Sequence, residues 1–225
     1  MAQLSKEQRK LLESTASQYA SHLPEAAEWL EARGIDLDHA AYEGLGVVAG
    51  DVTSVHIAYK GRLSIPYITD FGPVKMSFRC LKDHKCKETE ISPDPLTGKT
   101  RYCSKYIKER GSTTGLYGVR SFDDATDWIG VTEGELDSLI LRQIGIPAVA
   151  IPGAGNWEDH WPNVFEDLSR IYMFADADKA GEELFARLRD KLSMPVIKVR
   201  LPKGEDVNST FLKYGAQAII DRIKK

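Results

Sequence analysis

Ile129-Gly-Val-Thr-Glu-Gly-Glu-Leu-Asp137 and Arg170-Ile-Tyr-Met-Phe-Ala-Asp-Ala-Asp178 are the two stretches whose reading decides the fold. Each is a run of apolar and β-branched residues that ends in carboxylates and passes at once into a helical pattern. A buried parallel strand feeding a crossover helix reads this way. In open α/β sheets the functional crevice lies at the carboxyl ends of the strands, so both stretches deliver their acids to one rim. Glu133 leaves the first strand, and Asp137 follows at helical spacing; Asp176 and Asp178 alternate after the second. Like charges gathered together are costly unless a cation sits among them. A divalent ion with oxygen ligands, Mg²⁺ before others, is the natural occupant.

Outward from these stretches, strands and helices alternate. Strands are expected at 128–132, 147–151, 170–175 and 195–200, and helices near 134–145, 157–168, 179–192 and 207–223, the last broken by Gly215. That order predicts a parallel sheet with helices on both faces. A third acidic cluster, Gly204-Glu205-Asp206, follows the fourth strand and falls on the same rim. No Gly-x-x-x-x-Gly-Lys-Ser/Thr loop is present, which argues against a nucleotide-driven motor.

The first half has a different texture. Residues 5–22 read as an amphipathic helix opened by a Ser5/Gln8 capping box, followed by a helix from Pro24 to Gly34 and a short one over 38–43. Period-two patterning then predicts strands at 54–59, 62–69 and 74–80. Segment 81–101 is polar and turn-rich, an exposed excursion. The expected architecture is α/β: a smaller α+β subdomain with a basic strand surface (1–120), then a parallel sheet flanked by helices (121–225).

Charge follows the same division. Residues 1–57 hold 4 Lys and Arg against 9 Asp and Glu, residues 58–120 hold 13 against 6, and residues 121–225 hold 13 against 18. A basic middle between acidic flanks suggests a track for a polyanion beside a metal-holding acidic domain. The 225 residues are 42% apolar, with no apolar run of membrane-spanning length and no signal-peptide pattern, so a cytoplasmic protein without a membrane partner is expected.

Cys80, His84, Cys86 and Cys103 offer metal-ligand chemistry. However, Cys-x₃-His-x-Cys with a distant fourth residue matches no common zinc finger. The expectation is therefore against zinc, with a partly buried Cys80 and the others as loop residues.

The pattern Val131-Thr-Glu-Gly-Glu-Leu-Asp137, Asp176-Ala-Asp178-Lys-Ala-Gly181 and Pro202-Lys-Gly-Glu-Asp206 resembles the TOPRIM domain of bacterial-type DNA primases and topoisomerases. Gly61-Arg62-Leu-Ser-Ile-Pro66, Ser77-Phe-Arg79, Ser104-Lys105-Tyr106 and Leu116-Tyr117-Gly118 resemble, in that order, the strands preceding that domain in primases. Asp176-Ala-Asp178 stands where the family usually has Asp-Gly-Asp, keeping both acids.

The resemblance implies a primase catalytic core, bacterial or phage-type, without zinc ribbon or helicase-binding domain. Such a core makes RNA primers on single-stranded DNA from nucleoside triphosphates, and takes a zinc-ribbon protein and a replicative helicase as separate partners. It implies Asp176 and Asp178 as ligands of Mg²⁺ or Mn²⁺ with Asp206 and Asp137 assisting, and Glu133 as ligand or general base. Arg79, Lys105 and Lys179 would meet phosphates of nucleotide or template, and Arg62 and Lys75 would track the template. A TOPRIM nuclease or topoisomerase fragment, or a non-catalytic module binding single-stranded nucleic acid, are the competing readings.

Overall fold

The computed structural model describes residues 4–52, 55–93, 97–109, 114–153, 157–175 and 178–223. It forms two compact units: Met1–Trp29, Ala40–Tyr67 and Gly72–Ser112 in the first, and Leu30–His39, Ile68–Phe71 and Thr113–Lys225 in the second.

The first unit opens with α1 (Lys6–Ala20). Ser5 caps it as expected, accepting from Gln8 N while its own N–H donates to Gln8 Oε1 at 2.8 Å. A 3₁₀ turn (Leu23–Ala26) leads into α2 (Ala27–Glu31), and α3 (Leu37–Tyr42) follows, each divided between the units because Leu30–His39 belongs to the second. Four strands then form an antiparallel sheet ordered β1-β2-β3-β6: β1 (Gly46–Val47), β2 (Arg62–Thr69), β3 (Gly72–Cys80) and β6 (Tyr106–Lys108). Between β3 and β6 a separate hairpin pairs β4 (Glu90–Ile91) with β5 (Arg101–Tyr102).

Residues 54–59 were expected as a strand, and the structure corrects this. Ile57–Tyr59 is a 3₁₀ turn, while 53 and 54 lie outside the described residues. The reason is His56, which is drawn into the core: Nδ1 meets Tyr19 Oη at 2.9 Å and Nε2 meets Glu109 at 3.3 Å. Tyr59 stacks on Phe78 with ring centroids 4.2 Å apart beside it. Buried polar groups demand partners, and that demand outweighs a local strand preference. Burial, then the nearby Glu109 charge, pushes the Tyr19 hydroxyl above its ordinary range, so it stays protonated beside the histidine.

The second unit begins its regular sheet after a short α4 (Ser121–Asp124). The elements run β7 (Trp128–Thr132), α5 (Glu135–Gln143), β8 (Ala148–Ala150), α6 (Pro162–Phe165), β9 (Arg170–Phe174), α7 (Lys179–Lys191), β10 (Val196–Lys198) and α8 (Val207–Ile223). All pairings are parallel, in the order β10-β9-β7-β8. Ile129, Val131, Ile171 and Met173 are fully enclosed, each contributing about 1.5–3 kcal/mol of burial. The helix expected over 157–168 shrinks to α6, because Pro162 brings no N–H and can only begin a helix. Gly215 breaks α8 as expected, at φ 76° and ψ 176°.

Among the described residues no helix is long and apolar enough to cross a membrane.

Candidate active site

Strand order, rather than any single residue, places the site. β8 follows β7 on one side of it, and the chain then crosses back to lay β9 on the other. The topological switch therefore lies at β7, whose register with β9 sets Thr132 opposite Phe174. Neighbouring strands lie about 4.8 Å apart. Glu133 leaves β7 one residue after Thr132, and the chain from Phe174 reaches Asp178 four residues later. A crevice outside adjacent strand ends at a switch point is where open α/β sheets bind ligands. An open concavity of about 500 Å³ lined by Asp127, Trp128, Gly145 and Arg170 sits at the opposite, amino ends of these strands. It brings no acidic cluster together.

Glu133 is half-buried and stands ahead of α5, whose N-cap is Gly134. The helical spacing expected between Glu133 and Asp137 therefore does not relate them; the loop does. Thr132 Oγ1 donates to Gly134 O at 3.0 Å and holds that loop. A Cβ at Gly134 would come within 3.1 Å of Asp137 Oδ2, so the missing side chain leaves the carboxylate its space. Asp137 Oδ1 accepts from Asn208 N at 3.2 Å, which ties α5 to the first turn of α8. Asp178 is exposed and caps α7, accepting from Gly181 N at 3.0 Å. Asp206 caps α8 in a reciprocal arrangement: Ser209 N donates to its carboxylate at 2.7 Å, and its own N–H donates to Ser209 Oγ at 2.9 Å. Beside it, Lys213 donates to Glu205 at 2.6 Å. That bond first, and Ser209 second, hold the Glu205 carboxyl below its usual range. Asp176 lies outside the described residues.

Glu133, Asp137, Asp178 and Asp206 each offer hard oxygen donors, the ligand type that Mg²⁺ and Mn²⁺ take. The sequence reading passed over Glu135, which is 4% exposed at the start of α5, and Asn208, whose N–H orients Asp137. A third acid within five residues was the available signal for Glu135. Nothing local marked Asn208.

Asp178 allows capping and catalysis to be separated. Asn caps as well as Asp, whereas Ala forfeits about 1 kcal/mol. Asp178→Asn should leave the melting temperature unchanged and Asp178→Ala should lower it, while both lose metal-dependent activity. Thermal melts alongside a primer-extension assay check both halves.

The basic residues lie in the first unit, apart from Lys179, which is exposed and pairs loosely with Glu183 at 3.6 Å. The Arg79 guanidinium lies over Tyr106 at 4.7 Å and Trp29 at 5.2 Å, and its Nε is buried with no hydrogen-bond partner among the described residues. Lys105 is exposed. Arg62 donates to Ser104 O at 2.8 Å and lies 3.5 Å from Cys103 Sγ. Lys75 is buried, its ammonium 4.0 Å from the centre of the Tyr67 ring, so it presents no open charge on the strand surface.

The cysteines give a second correction. The expectation against zinc took Cys80 as partly buried and His84, Cys86 and Cys103 as loop residues, yet the ligand atoms of all four lie within 4.8 Å of one another. Burial raises the Cys80 thiol pKa, but the Lys82 amide, the neighbouring Cys103 and Cys86 and the Arg62 charge lower it further, for a net fall. Burial, then hydrogen bonds and charge from Cys103 and Cys80, push Cys86 up to about 11.

The sheet and its acidic rim define a class. Residues 130–211 match the family model described as Toprim-like. The chain is also similar to a mycobacteriophage protein and to bacterial DNA primases. It is 29% identical over 170 residues to the gene 57 protein of Mycobacterium phage D29, covering 73% of this chain and 99% of that protein. It is also 29% identical over 189 residues to the DNA primase of Pseudomonas aeruginosa, covering 80% of this chain and 27% of that enzyme. The chain thus spans about a quarter of that primase. The RNA polymerase domain of Mycobacterium tuberculosis primase DnaG, solved with a double-stranded DNA oligomer bearing a 6-nucleotide overhang, superposes with a TM-score of 0.73 at 19% identity, over 98% of this chain and 81% of that one.

Proposed function

We propose that the chain is a DNA-templated RNA polymerase that synthesises short primers on single-stranded DNA. The observation that carries this reading is the placement of Glu133 and Asp178 at the carboxyl ends of adjacent parallel strands in a primase-core homologue. The reaction joins a 3′-hydroxyl to the α-phosphate of a nucleoside triphosphate, and pyrophosphate leaves. Glu133 takes the hydroxyl proton or holds the group that does. Asp176, Asp178, Asp206 and Asp137 supply oxygen ligands. Bound Mg²⁺ or Mn²⁺ would neutralise charge on the reacting phosphate and acidify the attacking hydroxyl. Arg79 offers a guanidinium that lies over two rings, and Arg79, Lys105 and Lys179 are each assigned to phosphate oxygens of nucleotide or template. Arg62 stiffens the strand surface along which the template runs, and Lys75 adds to its field from within. Phosphoryl transfer asks a protein mainly for positioning and electrostatics, which this side-chain set supplies. A zinc-ribbon protein and a replicative helicase are the proposed partners, in the cytoplasm of a bacterial or phage-infected cell.

The test is incubation of the full chain with single-stranded DNA and four ribonucleotides, with products resolved on a sequencing gel. Short RNA that depends on Mg²⁺ or Mn²⁺ is the expected outcome. Salt-sensitive DNA binding without product would favour a non-catalytic module, and nicked plasmid without product a nuclease.

A further inference from the structure

The best-formed metal-ligand set among the described residues belongs to the first unit and shares no residue with the acidic rim. Cys80 is the last residue of β3, His84 and Cys86 follow it, and Cys103 comes directly after β5. All three cysteines are free, and Cys80 and Cys103 are buried.

Their spacing matches a known coordination geometry. Tetrahedral zinc, with Zn–S of about 2.3 Å and Zn–N of about 2.0–2.1 Å, sets S···S edges of about 3.8 Å and S···N edges of about 3.5 Å. Cys103 Sγ lies 3.8 Å from Cys80 Sγ, and Cys80 Sγ lies 3.5 Å from His84 Nε2. No pair of ligand atoms exceeds 4.8 Å, so the remaining edges close with shifts of roughly 1 Å.

Backbone bonds fix the segments that carry the three cysteines. Cys80 N donates to Lys105 O at 2.9 Å, and Cys103 N donates to Thr89 O at 2.8 Å. The turn carrying Cys86 is closed by Glu88 N and Thr89 N donating to Lys85 O at 2.9 and 3.0 Å. Three thiolates and a dication leave one net negative charge, and the Arg62 guanidinium 3.5 Å from Cys103 Sγ balances it. Such outer partners orient and tune metal ligands.

We propose that Cys80, His84, Cys86 and Cys103 bind a structural Zn²⁺, separate from the oxygen-ligated ion of the catalytic rim. A thiolate-rich, four-coordinate set with no open position selects zinc over Mg²⁺ or Mn²⁺ and leaves it no catalytic role. The ion fastens the end of β3 to the start of β6 across the excursion, between Arg79 and Lys105.

The test uses the full chain, purified without an affinity metal, with zinc measured by inductively coupled plasma mass spectrometry. About one zinc per chain is expected. Replacement by Co²⁺ should yield thiolate-to-metal charge transfer and the visible absorption of tetrahedral cobalt. Cys86→Ser, which alters the least buried thiol, should lose both signals, whereas Asp178→Asn should keep both. Zinc in the wild type below about a tenth of an equivalent, a six-coordinate cobalt spectrum, or full retention by Cys86→Ser would overturn the site. Should Cys86→Ser not fold, wild-type stoichiometry and the cobalt spectrum decide alone. Neither readout involves primer synthesis, so the zinc site and the polymerase reading stand or fall separately.

Discussion

Glu133→Gln should reduce primer synthesis by roughly 10²–10⁴-fold, the range for losing a general base, while the melting temperature stays where it was. The substitution keeps size and shape and removes only the negative charge. Glu133 is half-buried in a loop held by Thr132 and Gly134 rather than in the core. Changes of this kind usually move stability by no more than about 0.5 kcal/mol. Primer yield on single-stranded DNA with saturating Mg²⁺, measured beside a thermal melt, separates the two effects. Wild-type rates in the variant would remove Glu133 from the chemistry. A large fall in melting temperature would instead make it a folding residue.

Gly46→Ala should have the largest effect on stability. β1 passes so close under α1 that a Cβ at Gly46 would stand 2.2 Å from the carbonyl carbon of Tyr19, 2.3 Å from its oxygen and 2.5 Å from Ala20 N. These are backbone atoms of a helix end, which cannot swing aside as a side chain does. Either the helix lifts from the sheet or the pairing of Gly46 with Ser64 is lost. Overpacking typically costs 1–3 kcal/mol, and a clash with backbone belongs at or above about 3 kcal/mol. Gly61→Ala is the comparison. Its Cβ would meet nothing within 4 Å, and only its φ of 76° costs, at about 1–2 kcal/mol. Urea unfolding followed by circular dichroism should rank the first variant well below the second. Equal midpoints would show that α1 yields.

Some of this architecture is written locally in the chain. Ser5 with Gln8 starts a helix wherever it occurs, and Gly215 interrupts one, since each acts within a turn of backbone. Strands β7 and β9 are legible because both faces are buried, leaving runs such as Ile129–Val131 and Ile171–Phe174 almost without polar residues. Their neighbourhood is another matter. Four alternating units do not say that β7 lies between β8 and β9, so the adjacency of the strands that lead to Glu133 and to Asp178 comes from the sheet order. Long-range partners hid the rest. His56 leaves a strand-like stretch because Tyr19 and Glu109 wait for it 37 and 53 residues away. Lys75 turns inward onto Tyr67 although its neighbours alternate as if on a surface. The four metal-type ligands match no spacing rule because pairing of Phe78 with Ile107 closes the gap to Cys103.

The pairing of β4 with β5 makes the chain between them tolerant of change. The segment from Ile91 to Arg101 joins β4 to β5, whose ladder pairs Glu90 with Tyr102 and Ile91 with Arg101. Doubling such a loop adds only about 0.6 kcal/mol of closure entropy. Insertions of very different length should accumulate there among relatives while the antiparallel sheet stays constant, and a fluorophore or peptide tag grafted between Ile91 and Arg101 should leave the melting temperature unchanged.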